Sequence, residues 1–316
     1  MRRTVAVVLV ALGVFCLAMA PLMRTWVASS LMKTPLDYYA EMVNTGQADY
    51  FNIEDVEQVE DAEVEAHTTV RADVASSTDD TVVWDQFTWI KDGETDFGIS
   101  STSRRGGHDR ETGEGVDCCD PMVDDVSVTQ NGQLWKFPFF TEQRDYDFFE
   151  STVEETVPME FDGVETIKGV ETYRFVQTVE PTVVDEQTVP REVAGLDGDG
   201  DVTGDVEFSL TRTYWIEPVS GSPVNVSEDQ HRVVVVDDEE VLTMLSGELS
   251  YTDATIDQAI ENTEEARQYL PMLHTTLPIG SLIVGVGFIG VAVVLLVTGR
   301  RDEEEQDTGR HGERQA

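Results

Sequence analysis

Leu196 to Asp205 reads LDGDGDVTGD, with four carboxylates, Asp197, Asp199, Asp201 and Asp205, bunched among glycines. Hard cations take oxygen ligands at alternate positions of a flexible loop, so this is the candidate calcium site. The EF-hand pattern fails in both registers. Counted from Asp197 the sixth position is Val202, and counted from Asp199 the twelfth is Leu210. An acidic surface loop without metal is the better reading of this spacing. Cys118 and Cys119 are adjacent in DRETGEGVDCCDP. They are a disulfide candidate, although neighbouring cysteines close only with a strained peptide geometry. Free or intermolecular thiols are the alternative. Zinc would need a further ligand pair, and the five histidines are scattered.

No nucleophile elbow, zinc-protease helix or phosphate loop occurs in the sequence. Gly285, Gly287 and Gly290 fit G-x-G-x-x-G, but they lie in an apolar run with no strand before it. Carboxylate pairs carry no information, because so many acidic residues guarantee some pair at glycosidase spacing. The expectation is a protein that is not an enzyme, with no cofactor and no metal.

The elements that position these residues are set by two apolar runs. Thr4 to Met23 is twenty residues without a charge, preceded by Arg2 and Arg3. At about 1.5 Å per residue this spans a bilayer core of roughly 30 Å. A cleaved signal peptide is the rival, with Ala18-Met19-Ala20 as its site. Pro21 follows that site directly and the run exceeds a signal core, so an uncleaved anchor is expected. Leu277 to Thr298 is again uncharged and is followed by Arg300 and Arg301. Positive flanks stay inside, which places both termini in the cytoplasm and the middle of the chain outside, in the plasma membrane of the cell. Ser281 and Gly285, four apart, could let the second span pack closely on the first.

The chain has 316 residues, 62 acidic against 21 basic, with a net charge of −41. The two ends hold seven of the basic and six of the acidic residues, leaving residues 30–275 with a net charge of −42. Such a polyanion repels nucleic acid and anionic surfaces. The charge is spread along the chain, which favours a general adaptation to the surroundings over a specific cationic partner.

Within that middle, Glu63–Val74 alternates with period two and Thr81–Ile90 (TVVWDQFTWI) follows a turn, so the pair reads as a hairpin. Further strands are expected at Gly132–Phe139, Glu171–Thr178, Val206–Ile216, Arg232–Asp237 and Glu240–Tyr251. In Val206–Ile216 the residues Val206, Phe208, Leu210, Tyr214 and Ile216 share one face, with Arg212 the odd member. Thr252 caps a helix that Pro271 should end, and Asp37–Asn44 reads as a short helix. The fold class is α+β and β-rich: an antiparallel sheet with a few helices, flanked by two transmembrane helices. The expected divisions are an anchor at 1–29, an extracytoplasmic domain at 30–275, a second span at 276–299 and a disordered tail at 300–316.

Several stretches in order resemble the actinobacterial PorA-like family. They are Asp109-Arg110, Thr112-Gly113-Glu114, Cys118-Cys119, Asn131 to Phe139 (NGQLWKFPF), Gly169 to Phe175 (GVETYRF), Trp215-Ile216-Glu217-Pro218 and Ser220-Gly221. Ser220 stands where the family usually has threonine, and Asp120 where it has a small residue. The resemblance implies a cell-envelope membrane protein connected with mycomembrane glycolipids and lipoglycans, and it supplies no catalytic residues. The function expected is binding or handing on an envelope lipid or lipoglycan, with envelope transport proteins as further partners. A non-enzymatic interaction scaffold is the alternative, and a porin or channel, as the family name says, is the third reading. Trp84, Phe87, Trp89, Trp135, Phe137 and Phe139 are the lipid-contact candidates, with ordinary sheet core as their competing role.

Overall fold

The computed structural model describes residues 2–312, with side chains as far as residue 298. The chain divides into two compact units, residues 1–32 with 265–316 and residues 33–264.

In the first unit α1 (Arg2–Leu22) runs through a π-helical turn (Met23–Val27) into α2 (Ala28–Leu31). On the returning side α3 (Asp253–Pro271), whose residues 253–264 belong to the second unit, runs through a second π-helical turn (Met272–Thr276) into α4 (Leu277–Gly312). The stretches Arg2–Leu31 and Asp253–Thr298 are long and apolar enough to cross a membrane. Small residues let α1 and α4 meet closely. A Cβ added at Gly13 would stand 2.9 Å from the Gly285 carbonyl oxygen, and one at Gly285 would stand 2.9 Å from that of Gly13. The Ser281 hydroxyl donates to the Cys16 carbonyl at 2.6 Å, tying the two helices by one hydrogen bond.

Two expectations are corrected here. Pro271 does not end its helix: proline cannot donate the i→i−4 bond, and the π turn right after it lets the helix continue in a wider register. Residues 300–312 continue α4 where a disordered tail was expected, because extending a formed helix avoids a new nucleus and the segment is rich in Glu and Arg. Residues 313–316 of that expected tail lie outside the described residues.

The second unit is one sheet of thirteen strands, all of whose ladders are antiparallel. They are β1 (Tyr39–Asn52), β2 (Glu57–Ala72), β3 (Thr81–Asp92), β4 (Gly98–Asp109), β5 (Gly115–Val116), β6 (Met122–Val123), β7 (Val126–Ser127), β8 (Tyr146–Glu150), β9 (Glu155–Ile167), β10 (Val170–Pro190), β11 (Asp201–Glu217), β12 (Ser222–Val236) and β13 (Glu239–Tyr251). The strands follow one another as two meanders, β1 to β4 and β8 to β13, and β13 returns to pair with β1 from Asn44↔Tyr251 to Tyr50↔Leu245. The expected hairpin is β2–β3, registered through Thr68↔Thr88.

The two ends of the sheet also meet. β5 pairs with β4, Glu114 bridges to Gln133, and Gln133 bridges to Phe148 on β8. Gln133 donates its N–H to the Asp147 carbonyl at 2.7 Å, and its own carbonyl accepts from the Phe149 N–H at 2.9 Å. The sheet therefore curls until β4, through the β5 segment and Gln133, is bridged to β8, which satisfies backbone groups that an edge would leave open.

Two further expectations fall to this pairing. Asp37–Asn44 is not a helix: Tyr39 onward is β1, paired with β2 from Tyr39 and also with β13 from Asn44, and tertiary pairing overrides its weak local preference. Gly132–Phe139 is not a ladder strand either. Gly132 has φ +79°, its Cα lies against the Asp147 carbonyl, and Pro138 has no N–H to give. The segment folds inward as an irregular plug, with Leu134, Lys136 and Phe137 buried.

Candidate functional site

Among the described residues the sheet unit buries five apolar clusters, two of which hold its largest groups of side chains. Tyr50, Val64, Leu245 and Leu249 form one, and Phe137, Phe148, Met159, Phe175 and Ile216 form the other. A belt of buried charge also lies on the inward face. Arg212, the odd member of its strand face, is held by carboxylates: its Nε lies 2.5 Å from Glu228 and its Nη2 3.5 Å from Glu150. Its Nη1 donates to Gln177 Oε1 at 3.0 Å. Gln177 in turn donates to the Phe148 and Val157 carbonyls at 3.2 and 3.1 Å. Glu150, 1% exposed, accepts the backbone N–H groups of Thr152 and Val153 at 2.6 and 2.9 Å. Burial alone would lower the Arg212 pKa, but Glu228, Tyr214 and Glu150 together reverse that and raise it.

Arg104 of β4 enters the interior between two rings, 4.4 Å from Trp135 and 4.9 Å from Phe149. Its Nε donates to Gln130 Oε1 at 2.9 Å and its Nη1 to the Leu134 carbonyl at 3.3 Å. Burial lowers its pKa to about 9. His108, fully buried, donates from Nδ1 to the Asp109 carbonyl at 2.9 Å, and burial pushes it down to about 4, so it is neutral at pH 7. Lys136 is 4% exposed with its Nζ over the Phe139 ring at 3.7 Å, and burial pushes it down to about 7. Chemically this belt is a set of internal locks. Its carboxylates are engaged by arginine or backbone, and its histidine is uncharged.

The structure does not gather the six aromatic candidates into one cavity. Trp84 is enclosed, stacked on Tyr38 at 4.5 Å and edge-on to His108 at 4.7 Å. Phe137 is fully buried among Tyr146, Phe148 and Phe175. Trp135 covers Arg104 and donates its indole N–H to Gln86 Oε1 at 2.5 Å, while Phe139 lies under Lys136. Phe87 and Trp89 alone face outward, 51% and 39% exposed, because they fall on the opposite parity of β3 from Trp84. Trp89 lies 6.4 Å from the His67 ring, with the Lys91 ammonium 5.6 Å away. A groove on the sheet of about 240 Å³, lined in part by Val179, Ser209, Thr211 and His231, contains none of the six.

Asp197 and Asp199 sit in the β10–β11 connection, and Asp201 and Asp205 lie on β11. Arg191 caps that connection, donating from Nε to the Asp197 carbonyl at 2.8 Å. No group of three or more metal-capable side chains comes together among the described residues. Cys118 and Cys119 are joined as a vicinal disulfide. The loop has positive φ at Cys119 and Asp120, the Cys119 carbonyl accepts from Arg105 Nε at 3.1 Å, and Gly107 leaves room for the Cys118 sulfur. Arg104 was not visible as a buried cation in the sequence, because GISSTSRRGGHD shows no apolar alternation. Arg212 had such a signal, a charge at an inward position.

A family model described as Porin PorA matches residues 5–294. The chain is similar to a Porin PorA of Corynebacterium amycolatum, 27% identical over 139 residues, which cover 36% of each chain. It is also similar to a Porin PorA of Corynebacterium resistens, 24% identical over 230 residues, or 51% of this chain and 56% of that one. The chain thus matches little more than half the length of these curated relatives, or less.

Proposed function

The chain belongs to the Porin PorA family, and from that premise we propose that it is a membrane-held envelope protein whose sheet unit engages an envelope lipid or lipoglycan on its outer surface, outside the cytoplasm. The family name indicates a non-enzymatic membrane protein of the channel type. Two apolar helical stretches support a chain held in the bilayer at both ends of the sheet unit. Arg2 and Arg3 before the first, with Arg300 and Arg301 after the second, favour cytoplasmic termini. Tethering of this kind confines the sheet unit to the volume next to the membrane and raises the effective concentration of envelope ligands.

The observation that carries this reading is the division of the aromatics. The interior is closed by internal locks, while Phe87 and Trp89 remain outside on an antiparallel face flanked by Thr69, Ser101 and Ser103. Exposed rings beside hydroxyls suit sugar faces or acyl surface. The test is mass spectrometry of lipid and lipoglycan that co-purify with the detergent-extracted full chain. A defined envelope species on the wild type, lost with Phe87→Ala/Trp89→Ala, is expected. Its absence from the wild type sinks the reading in favour of a scaffold.

The family name favours a second reading, a channel. A pore through the sheet unit would have to pass Arg212, Glu228, Glu150 and Arg104, which fill its inward face. Conduction would then need several copies of α1 and α4 around an axis. Stepwise conductance of purified full chain in planar bilayers, unaffected by Phe87→Ala/Trp89→Ala, is the outcome that selects it.

A further inference from the structure

The helical unit holds a crevice of about 400 Å³ lined by Leu17, Ala20, Pro21 and Arg24 from one side and by His274, Thr275, Pro278, Ile279 and Leu282 from the other. The contacts of Gly13 with Gly285 and of Ser281 with Cys16 fix the antiparallel order of the two helices. Along that order Leu17 and Leu282 lie toward the middle of the apolar runs, and Arg24 with His274 and Thr275 lies toward their outer ends. The crevice therefore grades from aliphatic to cationic and hydroxylic over about two helical turns.

Its polar end is where both helices change register. The π turns Met23–Val27 and Met272–Thr276 pack against each other, and prolines flank them at 21, 271 and 278. π turns widen a helix locally and recur at functional sites. Arg24 is the one lysine or arginine between Arg3 and Lys33. In a chain with 62 acidic residues, it has no carboxylate within ion-pair distance among the described residues. A cation set at the end of an apolar run, beside a cleft and without a protein anion, matches the anionic layer of lipid headgroups.

We propose that this crevice seats one phosphate-bearing lipid, with its phosphate on Arg24 and Thr275 and an acyl or prenyl segment along Leu17, Ile279 and Leu282. The guanidinium supplies planar N–H donors to the phosphate oxygens, and the Thr275 hydroxyl adds a further donor. The aliphatic end selects lipid over free phosphate. This site is independent of the ligand proposed for the sheet unit, since the two share no residue.

The test uses the full chain in detergent, with dioleoylphosphatidylglycerol as the probe and native mass spectrometry as the readout. One tightly retained lipid is expected on the wild type, with dioleoylglycerol, which lacks the phosphate, retained at least about tenfold less well. Arg24→Gln is expected to reduce retention by about tenfold, and Arg24→Lys to restore most of it. Leu282→Trp, which fills the aliphatic end with Arg24 intact, is expected to lower retention as well. Circular dichroism and gel filtration identify any variant that fails to fold. Equal retention by wild type and Arg24→Gln overturns the proposal. Displacement of the lipid by millimolar inorganic phosphate overturns its lipid part. A long-chain prenyl phosphate competing better than phosphatidylglycerol supports it and names the tail. Loss of retention in the Phe87→Ala/Trp89→Ala variant would assign the lipid to the other unit and reject this site.

Discussion

The helical pair and the sheet unit solve the same problem in different surroundings. Between α1 and α4 close approach is made at Gly13 and Gly285, and one hydroxyl, Ser281, donates to the Cys16 carbonyl. The sheet unit, although its exterior is heavily acidic, buries Arg104, Arg212 and Glu150 and pairs or cages each of them. Where lipid replaces water there is little hydrophobic drive between helices, so shape and close approach decide. Where water surrounds the fold, apolar burial supplies the drive, and internal charge fixes one arrangement of the strands at a desolvation cost.

The strongest way to break this contrast is Arg212→Ala. It leaves Glu150 and Glu228 without their cation and is expected to cost the sheet unit about 3–5 kcal/mol. Urea unfolding of the full chain, followed by fluorescence from Trp84, Trp89, Trp135 and Trp215, checks it. The double variant Arg212→Met/Glu228→Gln should regain part of the loss, and if it is worse than the single variant the lock is not ionic.

Lys136 gives the next effect, and it has a pH signature. Its folded pKa, about 7, lies below the ordinary 10.5. Below pH 7 both folded and unfolded chains carry the proton, and the fold bears the whole burial cost. Between pH 7 and 10.5 the unfolded chain binds more protons, so stability climbs with pH across that window. Lys136→Met should flatten the climb and stabilise the protein at pH 7 by on the order of 2–3 kcal/mol, the ring of Phe139 offsetting part of the cost in the wild type. Denaturant midpoints at pH 6.5, 8 and 9.5 for both chains decide the point. The smallest effect belongs to the helices. Ser281→Ala removes one intramembrane hydrogen bond and is expected to shift the SDS-unfolding equilibrium by about 0.6 kcal/mol. A shift several times larger would mean that polar bonding, not close packing, holds the helix pair.

What could be read in advance follows the same contrast. The two apolar runs and the small residues at 281 and 285 were legible, because lipid imposes a strong and simple pattern. β2, β3, β11 and β13 were legible from alternation. β1, β4, β8 and β9 were not, since GISSTSRRGGHD and its like carry no apolar period and are held by neighbours distant in sequence. The inward plug at residues 132–139 was misread as a strand because its aromatics cluster like one, although Gly132 and Pro138 forbid a ladder there. Of the candidate sites, the cysteine pair was identified by adjacency alone. The split of Trp84 from Phe87 and Trp89 was already contained in their parity, but only the strand's exact span made that parity usable.

The seam between β1 and β13 has a consequence for biogenesis. The first strand of the sheet pairs early with β2, but its other edge cannot find β13 until some two hundred further residues, through Tyr251, have been made. Until then the emerging polypeptide carries an open edge, and hydrogen-bonding groups on Asn44 to Tyr50 stay available to any other extended segment. A chain stalled or truncated before Glu239 would keep that edge permanently. Such a fragment should be a target for chaperones and proteases, while the finished product resists them.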